Sequence, residues 1–299
     1  MTGFICLNKP EGITSFTAAN KLRRIAGIKK AGHTGTLDPM ATGVLPVMLG
    51  GATKFADFIP SSGKAYTADI LLGVSTDTYD VTGTVLEEKS VNVSSDEFKA
   101  AVDSFTGEIQ QVPPMYSAIS QNGVRLYQLA RKGIEVEREK RTVTIYSSEI
   151  LEKKADNLYT VSFSCSAGTY IRSLAFDIGE KLGCGTCLKS LHRTYSNGFS
   201  VEDAITLEEA ASLAEESRLA EKIISVEKVM EIYPNISVSE AQSKRFRNGG
   251  ALSVQRIKNF TGSGIFRVYS PDGEFMGLGK TNEETDELEI AKLYIESQI

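Results

Sequence analysis

The chain has 299 residues, 41% of them hydrophobic and 24% charged, with a formal net charge of -5 and a pI near 5.4. A chain of this size can bury roughly 75% of its unfolded surface, as one large domain or as a large and a small one. It holds no apolar run near the roughly 18 residues of a membrane span and no basic, apolar leader after Met1-Thr2-Gly3-Phe4, so a cytoplasmic protein without membrane contact is expected.

Charge is not spread evenly. Basic residues gather at Lys21, Arg23, Arg24, Lys29 and Lys30, between Arg125 and Arg141, and from Lys244 to Lys258; acidic residues concentrate at Glu208 to Glu221 and Asp272 to Glu289. A basic face on an acidic protein is compatible with RNA. Cys6, Cys165, Cys184 and Cys187 are too few and too irregular for a disulfide framework. Cys184 and Cys187 form a C-x-x-C pair, but only His33, His192 and two isolated cysteines remain to complete a zinc site. They read as free thiols in a Gly-rich turn, and no metal is expected.

In chain order, Phe4 to Leu7 reads as a short buried strand, followed by a turn at Asn8-Lys9-Pro10-Glu11-Gly12. A helix should come next, with Thr14 or Ser15 as N-cap, Leu22, Ile25 and Ala26 on its apolar face, and Gly27 to end it. From Ala31 to Gly51 the abundance of Gly, Thr and Pro reads as loop around a short apolar stretch, Val44 to Leu49. Tyr66-Ala68-Ile70-Leu72 and Tyr159-Val161-Phe163-Cys165 alternate as strands do, and Val143 and Ile145 indicate a partner strand.

Ser94-x-x-Glu97 and Thr206-x-x-Glu209 are capping-box signatures ahead of helices, the second opening a long Ala/Leu/Glu stretch, and Ile171 to Leu182 has helical spacing. Near Glu231-Ile232-Tyr233-Pro234 the character changes to a helix from Ser239 to Phe246 and short strands around a Pro271-Asp272-Gly273 turn. The expected organisation is a main domain over residues 1–230 and a small β-rich domain over 231–299. Strands and helices do not alternate in a βαβ rhythm, so α+β with a mixed, largely antiparallel sheet flanked by helices is expected.

The chemistry concentrates in Gly32-His33-Thr34-Gly35-Thr36-Leu37-Asp38-Pro39-Met40-Ala41-Thr42-Gly43. A Gly-rich loop presenting one carboxylate between Leu37 and a proline is a candidate site for a nucleophile or base; the alternative is a turn-capping Asp before Pro. Metal-dependent phosphoryl transfer by Asp38 with Asp77 and Asp80 is a further reading, but it lacks a phosphate-binding loop.

This segment resembles the catalytic motif of the tRNA pseudouridine synthase B family, in which the Asp of a GTLDP-like sequence is catalytic. The resemblance covers nearly the whole chain. Asn8 to Ser15 is similar to the family's first motif, and Lys64-Ala65-Tyr66-Thr67-Ala68 with Thr76-Asp77-Thr78-Tyr79-Asp80 to its second. Gly168-Thr169-Tyr170-Ile171-Arg172-Ser173-Leu174 is similar to the motif bearing the catalytic-site arginine, and Leu191-x-Arg193-Thr194 followed by Gly198-Phe199 to a last one. The resemblance implies a pseudouridine-synthase fold with a PUA-like RNA-binding domain at the C-terminus. The implied reaction is isomerisation of uridine 55 in the T-arm of tRNA, by base flipping, glycosidic cleavage, base rotation and re-attachment through C5.

Nothing is added or lost in that reaction, so no cofactor is required. An ionised Asp38 either adds covalently to the nucleotide or removes a sugar proton. Arg172 is its natural partner, since a guanidinium holds a carboxylate bidentately; the alternative is a surface arginine at a helix start, where the dipole disfavours cations. Tyr66 offers a ring for an extruded uracil and a phenol for the C5 proton, or else is a strand-core tyrosine.

The neighbouring glycines of His33 suggest exposure, and the resemblance implies that it helps to hold the target base out of the stack; Lys9 is expected to support the site electrostatically. Tyr170 and Leu191 belong to the expected substrate pocket, and Lys244, Arg245 and Arg247 to a phosphate-contacting face of the C-terminal domain. The short C-terminal module and the absence of a Lys-rich tail point to a stand-alone enzyme, a monomer acting on the T-arm stem-loop without guide RNA.

Overall fold

The computed structural model describes residues 1–121 and 123–295. In chain order, β1 (Gly3–Lys9) is followed by α1 (Ser15–Ile25), a short β2 (Ala31–His33), β3 (Thr42–Leu49) and β4 (Lys64–Leu72). A hairpin of β5 (Val74–Thr76) and β6 (Val85–Glu88) leads to α2 (Ser95–Asp103) and β7 (Gly107–Gln111). A second small hairpin, β8 (Ser120–Gln121) with β9 (Val124–Arg125), precedes α3 (Leu126–Ala130). The larger part is completed by β10 (Arg141–Ala155), β11 (Leu158–Cys165), α4 (Ile171–Leu182), β12 (Thr186–Ser196), β13 (Phe199–Ser200), α5 (Leu207–Glu215) and α6 (Val226–Val229).

The main sheet runs β1-β3-β12-β4-β11-β10-β7. Every pairing along it is antiparallel except β12 with β3, which run parallel where His192 and Arg193 meet Thr42 and Gly43. The fold is α+β, as expected, and its helices begin where the sequence supplies caps. Thr14 caps α1, and Ser94 with Glu97 and Thr206 with Glu209 form complete capping boxes. Each such cap contributes about 1 kcal/mol.

Two stretches differ from expectation. The irregular part of 31–51 is confined to residues 34–41, because Val44 to Leu49 is part of a strand inside the sheet. The Ala/Leu/Glu stretch after Thr206 is not one long helix: α5 stops at Glu215, and a 3-10 turn (Leu219–Lys222) and the short α6 follow. The break gives Phe4 a strand-like partner, since Phe4 and Ile224 exchange backbone hydrogen bonds of 2.8 Å in both directions.

The C-terminal part holds β14 (Asn235–Ser237), α7 (Glu240–Arg247), β15 (Leu252–Ser253), β16 (Ile265–Tyr269), β17 (Phe275–Asn282) and β18 (Glu287–Leu293). Its sheet has the order β14-β16-β17-β18-β15. It packs on the main sheet through an apolar cluster in which Phe275 and Leu278 meet Phe4, Cys6, Val44, Met48 and Phe55. The alternate residues of the same two strands, Ile5, Leu7, Leu45, Val47 and Leu49, face the main core. Burial on both faces is why β1 and β3 read as continuous apolar runs, whereas β4, with Ala65, Thr67 and Asp69 only half-buried, alternates.

Candidate active site

Residues 34–41 link β2 to β3, and three buried side chains hold them in place. Lys9, at the end of β1, is wholly buried and donates to the carbonyls of Pro10 (2.7 Å), Ile13 (2.8 Å) and Pro39 (3.2 Å). Burial pushes its pKa down to about 8, against the opposing pull of Asp38 and Glu11. Ser15 clamps Leu37 from both sides: its Oγ accepts from the Leu37 N–H at 2.8 Å and donates to the Leu37 carbonyl at 3.0 Å. Arg193, wholly buried on β12, donates to the carbonyls of Val44 (2.7 Å), Gly35 (3.3 Å) and Thr36 (3.4 Å). A loop whose carbonyls face buried donors is fixed before any ligand arrives.

Asp38, at the centre of that loop, meets Arg172 in the first turn of α4, 134 residues away in sequence. Arg172 Nε donates to Oδ2 at 2.8 Å and Nη2 to Oδ1 at 3.0 Å, a bidentate pair. The side chain of Arg172 is 3% exposed and that of Asp38 32%, so the pair opens towards solvent only on the carboxylate side. The remaining donors of Arg172 reach the carbonyls of Thr78 (2.9 Å) and Tyr116 (2.8 Å), and Asp80 stands 3.8 Å from Nε. A surface arginine at a helix start is thereby ruled out.

Tyr66, on β4, is 5% exposed and lies in register with Phe163 of β11 and Arg193 of β12. Burial raises the pKa of its phenol, the neighbouring Arg193 opposing the rise, so the hydroxyl keeps its proton at neutral pH. Leu191 is buried on β12, one step of the strand alternation from Arg193. Tyr170 is the N-cap of α4, and its backbone is gripped by the Gln111 amide, which accepts from the Tyr170 N–H at 2.8 Å and donates to its carbonyl at 3.1 Å.

His33 is half-buried in β2 beside Val47, more enclosed than its flanking glycines imply. Burial, helped by Arg193, lowers its pKa and leaves the imidazole neutral at pH 7. Lys244, Arg245 and Arg247 lie apart from these groups, exposed on α7. Arg245 donates to the Ala251 carbonyl at 2.6 Å and Arg247 pairs with Glu274 at 2.5 Å. Cys184 and Cys187 are buried free thiols. Asp77 and Asp80 spend their oxygens on local donors, Thr84 N–H for the first and Thr78 and Thr82 for the second.

Sequence reasoning gave Ser15 and Arg193 no role of their own in this site. For Arg193 a signal was present: it occupies an inward position of the Leu191, Arg193 alternation, where a charge needs a buried partner. Ser15 carries no such signal, because a serine at a helix start reads as a cap.

A fixed carboxylate, a buried guanidinium and a protonated phenol can break and remake bonds to one bound nucleotide without any second substrate, and the sheet that carries them is that of a pseudouridine synthase. Over 98% of its length the chain superposes on a chain of the crystal structure of the archaeal box H/ACA sRNP Nop10-Cbf5 complex, with a TM-score of 0.72, 27% identity and 86% of that chain covered. A structure of an H/ACA RNP bound to a substrate RNA containing 2'-deoxyuridine gives a TM-score of 0.73 at 26% identity, covering 98% and 85% of the two chains.

Sequence families narrow the class. The model of the TruB family pseudouridylate synthase N-terminal domain matches residues 23–171, that of the tRNA pseudouridylate synthase B C-terminal domain 172–231, and that of the pseudouridine synthase II TruB C-terminal region 234–286. Among curated relatives, the tRNA pseudouridine synthase B of Clostridium perfringens (strain 13 / Type A) is 46% identical over 99% of this chain and 100% of its own. That of Aromatoleum aromaticum is 43% identical over 93% and 88%. The chain belongs to the TruB family of pseudouridine synthases and is an isomerase.

Proposed function

We propose that this enzyme converts uridine 55 in the T-arm of tRNA to pseudouridine as a stand-alone monomer in the cytoplasm, without guide RNA, metal or other cofactor. The observation that carries the reading is the bidentate pair between Asp38 and Arg172, set in a loop whose backbone is held by Lys9, Ser15 and Arg193. Full-length similarity to named tRNA pseudouridine synthases supports tRNA as the substrate class. None of the helices among the described residues is long and apolar enough to cross a membrane.

The target base leaves the loop stack and enters beside Tyr66, while His33 holds the strand open. The ionised Asp38 carboxylate then starts the reaction, by covalent addition to the nucleotide or by removal of a sugar proton. The N1 to C1′ bond breaks, the uracil turns within the pocket and C5 bonds to C1′. The Tyr66 hydroxyl acts as a relay, taking up the proton that leaves C5 as its own passes on to solvent, and a proton returns to N1, so atoms balance. Arg172 keeps the carboxylate in position, Lys9 keeps its loop in position, and Leu191 and Tyr170 bound the space in which the base turns. Residues 1–230 perform the chemistry. Residues 231–299 act as a PUA-like module that adds affinity through Lys244, Arg245 and Arg247.

The test is a minimal T-arm stem-loop incubated with the pure enzyme in chelator, followed by mapping of pseudouridine. Conversion at the position of uridine 55 is expected. Activity that vanishes in chelator and returns with added magnesium or zinc, or modification only when a guide RNA is supplied, would overturn this reading.

A further inference from the structure

Lys64 opens β4, two residues before Tyr66, so both side chains leave the strand on the same face, about 6.6 Å apart along it. It is a half-buried cation without an acceptor: among the described residues its ammonium makes no hydrogen bond and no ion pair. A Cβ on Gly35 would lie 3.8 Å from both the Lys64 Nζ and the Arg193 Nη1, so two cations converge on the backbone just ahead of Asp38. The carboxylate of the site, Asp38, is already taken by Arg172. Like charges gathered without a counter-ion are costly unless an anion completes the site. Burial and Arg193 together push the Lys64 pKa down to about 8, as expected for an ammonium with nothing negative to face.

We propose that Lys64, with Arg193 behind it, is a binding site for one phosphodiester of the RNA backbone flanking the target nucleotide. The spacing fits one nucleotide, with its base against Tyr66 and its phosphate on Lys64. The site ties the flipped base to its own strand: the phosphate supplies the missing counter-charge, and the base is delivered to Asp38 in one register. This deepens the substrate reading above and rests on it.

The experiment is a cycle between protein and RNA. Lys64→Met keeps the length of the side chain and removes the charge. In the RNA, single phosphodiesters on either side of the target uridine are replaced by neutral methylphosphonates. Loss of one charge-assisted contact is expected to lower kcat/KM about ten- to a hundred-fold. The wild type should suffer that loss with one modified RNA, Lys64→Met should suffer it with unmodified RNA, and the two together should be no worse than either. The slope of log affinity against log salt should become shallower by about 0.7 to 0.9 in the variant. Thermal unfolding of Lys64→Met should stay level or improve, since an uncompensated charge is removed. Wild-type tolerance of every flanking methylphosphonate, multiplying losses, or a fall in kcat with binding and salt slope unchanged would each overturn the assignment. Wild-type turnover of the unmodified stem-loop is the separate check on the substrate: if it fails, the cycle is run on the RNA that mapping identifies, so the two failures are distinguishable.

Discussion

Asp38→Asn is the most informative single change, because its structural and chemical costs separate. Asparagine keeps one acceptor for Arg172 but turns a donor amide towards the other guanidinium N–H, so one of the two bonds of 2.8 and 3.0 Å is lost. A hydrogen bond to a charged group is worth about 1.5 to 3 kcal/mol when buried. Asp38 is 32% exposed, and Arg172 keeps the carbonyls of Thr78 and Tyr116 and the nearby Asp80, so a stability loss of about 1 kcal/mol is expected. Chemistry loses far more. In the proposed mechanism every route begins with the carboxylate, and removing such a group typically costs about 10^4-fold or more in turnover. RNA affinity should hold or rise, since a negative charge leaves a site that accepts a polyanion. Three measurements on one preparation decide it: urea unfolding, equilibrium binding of the T-arm stem-loop, and tritium release from C5-labelled uridine. A folded, RNA-binding Asp38→Asn enzyme that releases tritium near the wild-type rate would refute the reasoning.

Tyr66→Phe should bind RNA within about twofold of wild type yet turn over much more slowly, because the ring is kept and the proton-carrying hydroxyl is not; equal turnover would remove the phenol from the mechanism. Lys9→Met strips donors from three carbonyls and should cost about 2 to 4 kcal/mol in urea unfolding, with a fall in kcat from the loosened Asp38 loop; unchanged stability would mean those carbonyls find other partners. Burial, reinforced by Glu180, raises Asp177 on α4 to about 6 from its ordinary 3.8. The folded state therefore holds the extra proton between those values, and wild-type stability falls as pH rises through them. Asp177→Asn should be more stable than wild type by about 1 kcal/mol above pH 6, discounted for partial exposure, with the gap closing below pH 4; thermal melts at pH 4 and pH 8 check the sign.

The segment 32–43 marked Asp38 as a candidate, because a run of glycines around one carboxylate and a proline is a local pattern, but that pattern left a turn-capping Asp open and the family resemblance made the choice. The capping boxes at Ser94 and Thr206 were fully local: a side-chain oxygen three residues ahead of an unpaired N–H is a contact the chain makes with itself. The alternation of Tyr66, Ala68, Ile70 and Leu72 set the face of β4 that turns inward, since a strand's period of two needs no partner to be read. The partners themselves were decided only in three dimensions. Whether Lys9 is a solvated lysine before a proline or a buried clamp depends on Pro39 coming to lie against it. Whether Arg193 is a surface charge depends on β12 running beside both β3 and β4. The continuous apolar runs of β1 and β3 demanded cover on two faces, but that Phe275 and Leu278 supply one of them follows from the docking of a sheet more than 200 residues further along. Periodicity records how a segment divides itself between water and core. Which distant groups satisfy a buried charge is fixed by the packing of the elements, and no single stretch of sequence contains it.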